Sequence, residues 1–248
     1  VQGRGGFYDQ AGAIRDVVQN HLLQLLSNIA MEPPPNIEIE RVRDEKVKLL
    51  RSIRTLGPDD VVRGQFAGYL KEPGVKADSQ VETYVALRLS VDSWRWRGVP
   101  FYIRAGKSLP VTVTEVVVNL RPTPAQFSEA PPPNNYFRFR VTPNLEIAAA
   151  VMVKAPGDEF LGRSTQLMVT DSSDPQELEA YEELLGDAMH GIQMHFARQD
   201  YVEEAWRIVD PILDNATPIH LYNPGTWGPS EVNSIVAAGA WADPVTSR

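Results

Sequence analysis

The sequence contains no cysteine in 248 residues. That absence excludes disulfide scaffolds, thiolate zinc sites, iron–sulfur clusters and a cysteine nucleophile. It suits a reducing, cytoplasmic setting. No stretch approaches the ~20 apolar residues needed to span a bilayer, so no membrane partner is expected. Basic residues are in deficit, with 24 Lys and Arg against 32 Asp and Glu and a formal charge of −8. A field of that sign argues against a nucleic-acid partner, and an anionic ligand would need a local cluster of basic groups working against it. Histidine is scarce, at four residues. His190 and His195 stand five positions apart, about 140° round an α-helix, so they cannot chelate one ion from a helical face and no metal is expected. A Walker loop and a G-x-S-x-G elbow are also missing. The glycine cluster Gly3-Arg4-Gly5-Gly6 follows no apolar strand and does not read as a dinucleotide fingerprint.

What is present is an ordinary globular composition, 43% apolar and 23% charged, in a chain long enough to bury a sizeable core. The N-terminus VQGRGGFYDQ has neither a basic n-region nor an apolar h-region, and it opens in a Gly-rich turn without Met. This suggests a piece of a longer protein rather than a secretory leader. From Asp9, a candidate N-cap, to about Ala30 the residues Ile14, Val17, Val18, Leu22, Leu25, Leu26 and Ile29 recur at helical spacing, with Pro33-Pro34-Pro35 as the stop. A second helix is expected from about Ile39 to Arg54, with Val42, Val47, Leu50 and Ile53 inward.

The middle of the chain holds β-branched and aromatic runs between turn residues: VVRGQFAGY, VETYVALRLSVDS, VPFYIRAGK, TEVVVNLRP, NYFRFRVTP, EIAAAVMVK and TQLMVT. Phe137, Phe139 and Val141 alternate with polar residues, which predicts a sheet with one wetter face. The last third turns helical again, over Pro175–Met189 and Asp200–Leu213, before the Gly/Pro-rich NPGTWGPSEVNS leads into a short helix. No fixed-period repeat is present, and the Pro-rich turn at 131–133 is the only biased tract. Helices, then strands, then helices indicate an α+β fold: one large, mainly antiparallel (mixed) β-sheet with helices packed on one face, and 1–248 as a single domain.

Two groups of polar residues stand out. Asp16, Gln19 and Asn20 share a helical face, and His21 lies about 140° from Asp16 on an α-helix. The two could not bond each other but could reach different groups of a ligand lying across the helix. Spacing alone leaves a solvent-facing polar stripe as the simpler account. Lys107 stands in the turn where a strand ends at Gly106, a position that suits a phosphate or a sugar hydroxyl. By itself it could equally be a surface lysine.

The segments GRGGFYDQAGAIRDVVQNHLLQLLSNIAMEPP, RDEKVKLLRSI, DSWRWRGVPFYIRAGKSLP and AWRIVDPIL resemble successive blocks of the glucose-6-phosphate dehydrogenase family, in order along nearly the whole chain. They are similar to its C-terminal domain, a substrate-binding and oligomerisation domain; the dinucleotide-binding domain and the His-Tyr-x-x-Gly-Lys segment are absent. The resemblance implies oxidation of glucose 6-phosphate at C1 to 6-phosphogluconolactone, with hydride passed to NADP or NAD. It implies that His21 is the general base, that Asp16 binds sugar hydroxyls, that Lys107 contacts the substrate, and that NADP is bound mainly by the other domain. It further implies a homodimer or higher homo-oligomer formed through the β-sheet.

Two positions depart from the family pattern. Family members usually carry a second basic residue five positions after the lysine, where this chain has Thr112. Many carry Gln before the proline that ends the later strand, where this chain has Thr142. A lost cation beside a sugar phosphate costs ~1.5–3 kcal/mol of charge-assisted hydrogen bonding. The alternative expectation is therefore a non-catalytic or substrate-altered paralogue acting as an assembly or regulatory module.

Overall fold

The computed structural model describes residues 1, 3–121, 134–158, 162–170, 180–193, 195–237 and 241–244. The expected turn at 131–133 and residues 175–179 of the third expected helix lie outside them. The fold is α+β. Strands β1 (Val61–Phe66), β2 (Tyr84–Ser90), β3 (Pro100–Gly106), β4 (Thr114–Asn119), β5 (Tyr136–Thr142), β6 (Glu146–Lys154) and β7 (Gly162–Thr170) occupy the seven β-branched runs. An eighth, β8 (Ile219–Tyr222), lies in a segment whose pattern gave no strand. Instead of one sheet, these strands form two sheets of four, ordered β3-β2-β1-β8 and β4-β5-β6-β7. The first is mixed, because β8 runs parallel to β1, and the second is antiparallel throughout.

The chain divides into two compact units, Val1–Pro110 with Ala180–Trp241 and Val111–Glu179 with Ala242–Arg248. In the first unit both faces of the sheet are covered rather than one. Val85, Leu87 and Leu89 of β2 pack with Ile14, Leu23, Leu50 and Ile208 from the helices, while Tyr84 and Ala86 pack with Tyr8, Phe66, Tyr69 and Tyr222. Strand alternation thus feeds two cores, and each fully buried Leu or Val contributes about 1.5–3 kcal/mol. Helix α3 (Ile39–Arg51) is shorter than expected. Beyond its end Arg207, on α5 (Gln199–Val209), donates to the Leu50 and Ile53 carbonyls at 2.8 and 3.0 Å, satisfying groups that a helix end leaves open.

In the second unit the sheet has two unlike faces. Phe139 is paired between Val116 and Ile147, and Ile147 with Val169, so one face is apolar. It is also open, with Phe137, Ile147, Leu167 and Val169 exposed by 41% to 68%. The other face holds Arg138 and Arg140 against Glu115 and Glu146, with Arg140 only 5% exposed. The alternation expected for this sheet is present, but its apolar side is the uncovered one.

The first helix differs most from its sequence pattern. It is α1 (Gly5–Ala13), a π-helical segment Ile14–Leu22 and α2 (Leu23–Ala30). Gly12 takes φ +72° and ψ 175°, which breaks α1 from the π-helical segment. Asp9 is not an N-cap; inside α1 its carboxylate accepts from Ser79 Oγ and from the Lys76 amide at 3.3 Å. The π register shows in the Leu23 amide bonding the Val18 carbonyl, five residues back, and in the buried series Ile14, Val18, Leu23, Ser27, which includes a step of five.

Candidate functional site

The π-helical segment changes the geometry that an α-helix would give its polar residues. Bonding from i to i+5 implies about 4.4 residues per turn, so positions five apart sit within roughly 50° of one another rather than 140°. Asp16 and His21 therefore share one side of the segment. Asp16 is half-buried, while Asn20 and His21 are exposed, and no hydrogen bond or ion pair among the described residues takes the His21 imidazole.

The start of the segment is fixed from a distance in sequence. With α1 broken at Gly12, the amides of Ala13 and Ile14 are free of helical partners. Ala13 donates to the Glu82 carbonyl and Ile14 to Glu82 Oε1, each at 3.0 Å. The second oxygen of Glu82 is 3.2 Å from Arg63 Nη2, and the side chains are 5% and 2% exposed. Arg63 also donates to the carbonyls of Gln80 and Thr217, which spreads its buried charge over several acceptors.

Lys107 follows Gly106 at the end of β3, and β3 packs against the π segment. A Cβ on Gly106 would stand 2.7 Å from Tyr84 Cδ2, so only glycine allows this approach. The Lys107 amide donates to the Thr83 carbonyl at 2.8 Å, and the Tyr222 hydroxyl donates to the Lys107 carbonyl at 2.6 Å. Burial pushes the Tyr222 phenol up to about 12, which keeps it a donor. The Lys107 ammonium lies 5.0 Å from the ring centroid of Tyr8 on α1. Burial first, then the charges of Glu82 and Asp16, raise the Tyr8 pKa well above the ordinary phenol value. Thr112 and Thr142 belong to the second unit.

Asp16 and His21 thus stand on the π segment, and Lys107 follows β3, a strand packed against that segment, with its ammonium over Tyr8 of α1. Glu82, Tyr8 and Tyr222, which hold this arrangement, carried no sequence signal, because their partners are 68, 99 and 115 positions away. An open cleft lined by Ile37, Glu40, Ile192 and Gln193 contains none of the three. His195, past the end of α4 (Ala180–His190), pairs with Asp187 at 2.7 Å. No cluster of three His, Asp or Glu residues suited to a metal occurs among the described residues. Gly5 and Gly6 open α1, and no described strand precedes them. No helix among the described residues is long and apolar enough to cross a membrane.

Comparison with known proteins gives one family. The family model for glucose-6-phosphate dehydrogenase, C-terminal domain, matches residues 1–242. Glucose-6-phosphate 1-dehydrogenase 1 of Mycobacterium tuberculosis is 42% identical over 255 residues, covering 100% of this chain and 54% of that protein. The enzyme of Aggregatibacter actinomycetemcomitans is 41% identical, over 96% of this chain and 52% of its own. The crystal structure of glucose-6-phosphate 1-dehydrogenase from Mycobacterium avium superposes with a TM-score of 0.91 at 41% identity, over 100% of this chain and 54% of that one. A glucose-6-phosphate dehydrogenase in complex with its substrate glucose-6-phosphate gives 0.86 at 33% identity, over 98% and 53%. The chain spans about half the length of the relatives it matches, and the family match runs through both structural units. The chain belongs to the glucose-6-phosphate dehydrogenase family, in which it corresponds to the C-terminal domain.

Proposed function

We propose that this chain, 1–248, is the substrate-binding and oligomerisation domain of a cytoplasmic glucose-6-phosphate dehydrogenase. His21 takes the C1 hydroxyl proton as the sugar is oxidised to the lactone. Histidine suits the task because its ordinary pKa lies near neutrality. Asp16 orients sugar hydroxyls by accepting their hydrogen bonds, and Lys107 sets a positive charge against the substrate. The observation that carries the reading is the π-helical segment, whose register sets Asp16 and His21 on one side of a helix packed against β3, the strand that Lys107 follows. NADP, the acceptor the family implies, is assigned mainly to the other half of the parent protein. The free His21 imidazole fits an orienting carboxylate supplied from there.

The open apolar face of β4–β7 supports a homodimer or higher homo-oligomer formed by pairing sheet faces, since burying exposed Phe137, Ile147 and Leu167 is favourable. The test is reduction of NADP by glucose 6-phosphate. The full-length parent turns over, whereas the purified chain alone does not, because hydride transfer needs an acceptor held ~3–3.5 Å from C1. A second reading rests on Thr112 and Thr142, which stand where the family usually carries Arg or Lys and often Gln. Under it the full-length parent binds and assembles but leaves NADP unreduced.

A further inference from the structure

The backbone of Lys107 is fixed at both its amide and its carbonyl, and Ser108 after it, at φ +54°, accepts from the Gly225 amide at 2.7 Å. These bonds set where the side chain begins and leave its four-carbon stem to be ordered, at a cost in rotamer freedom. No ion pair among the described residues takes its ammonium. The Tyr8 ring centroid stands 5.0 Å from the ammonium, within the ~6 Å reach of a cation–π contact. Tyr8 is itself buried, 3% exposed, and set edge-on to Tyr69 with centroids 6.5 Å apart. Its hydroxyl is buried and finds no hydrogen-bond partner among the described residues, so the ring is what this side chain offers the ammonium.

We propose that Tyr8 is a positioning residue whose ring face holds the Lys107 ammonium pre-oriented for the substrate. The inference rests on the reading of Lys107 as a substrate contact. Pre-ordering the cation lowers the entropy lost on binding and so acts on affinity.

The experiment compares Tyr8→Phe and Tyr8→Leu in the full-length parent, reading KM for glucose 6-phosphate, kcat, melting temperature and the NMR shift of 13C-methylated Lys107, assigned with Lys107→Arg. Tyr8→Leu should raise KM about 3- to 10-fold and leave kcat within about twofold, while Tyr8→Phe keeps KM and melts no lower. The upfield ring-current shift of Lys107 should persist in Tyr8→Phe and vanish in Tyr8→Leu. A KM in Tyr8→Leu within about 1.5-fold of the parent overturns the proposal, as does a Tyr8→Phe variant as impaired as Tyr8→Leu. Should Tyr8→Leu fail to fold, the shift decides alone: a Lys107 signal without ring-current displacement in the unaltered protein overturns the proposal, and a displaced one retained in Tyr8→Phe supports it. A parent that folds but does not oxidise glucose 6-phosphate defeats the functional reading, while the shift still decides whether the ring holds the cation.

Discussion

The Glu82 carboxylate accepts the Ile14 amide at 3.0 Å across 68 positions of sequence, capping the π-helical segment that carries Asp16 and His21. Its other oxygen is tied to Arg63 in the interior, so the cap cannot drift without stranding a buried cation. The two polar residues on the segment thereby inherit their register from β1 and from Glu82, two residues before β2.

If His21 is the base, His21→Ala in the full-length parent lowers kcat roughly 100-fold or more with KM nearly intact, since general-base catalysis is worth ~10²–10⁴. Lys107→Ala raises KM instead, because a positioning contact is made in ground and transition states alike. Asp16→Ala falls between. A His21→Ala variant that keeps kcat and loses melting temperature would make His21 a packing residue. Steady-state kinetics and thermal melts on the same samples decide.

Gly12→Ala should destabilise the fold by about 1–3 kcal/mol, because its φ of +72° is open to glycine and strained for alanine. The added Cβ would also stand 2.5 Å from Glu82 Oε1, pressing on the cap. A denaturant titration measures the loss, and an unchanged midpoint would refute it.

Ile147→Glu places a charge in the middle of the open apolar face, between Phe139 and Val169. The chain should then sediment as a monomer at tens of micromolar while its circular dichroism stays unchanged. Self-association that survives the substitution would locate the interface elsewhere.

Acid sensitivity should centre on Arg198, which bonds Asp200, Glu40 and Asp44 at 2.8, 2.7 and 2.9 Å. Hydrogen bonds from Arg198 hold the Asp200 and Glu40 carboxyls below their ordinary values. Carboxyls depressed in the folded state bind fewer protons there than when unfolded, so their stabilisation is present at neutral pH and lost as pH falls below about 5. Arg198→Met should therefore melt lower than the unaltered chain at pH 7, and the gap should close on acidification. A gap that widens in acid would contradict the assignment.

Much of this architecture was written into local pattern. The β-branched runs from Val61 to Thr170 became strands because a pleated, packed surface rewards such side chains wherever they lie. Ile219–Tyr222 give no strand signal because four residues carry too little periodicity, and only pairing with buried β1 makes them a strand. The resemblance likewise rested on linear blocks, so Asp16, His21 and Lys107 could be named from their order in the chain.

Local pattern could not supply the relationship among those three residues. Read as an α-helix, Asp16 and His21 diverge; they share a side because the Gly12 break and the Glu82 cap favour a register whose hydrogen bonds skip one more residue. The same holds for the second sheet, where alternation marked two faces but could not say that Arg138 and Arg140 would take the covered one. Helical and strand periodicities arise from bonds and side chains a few residues apart, which the sequence sets in order. Caps, ring contacts and the choice of buried face depend on partners tens of residues away, and tertiary packing alone selects among them.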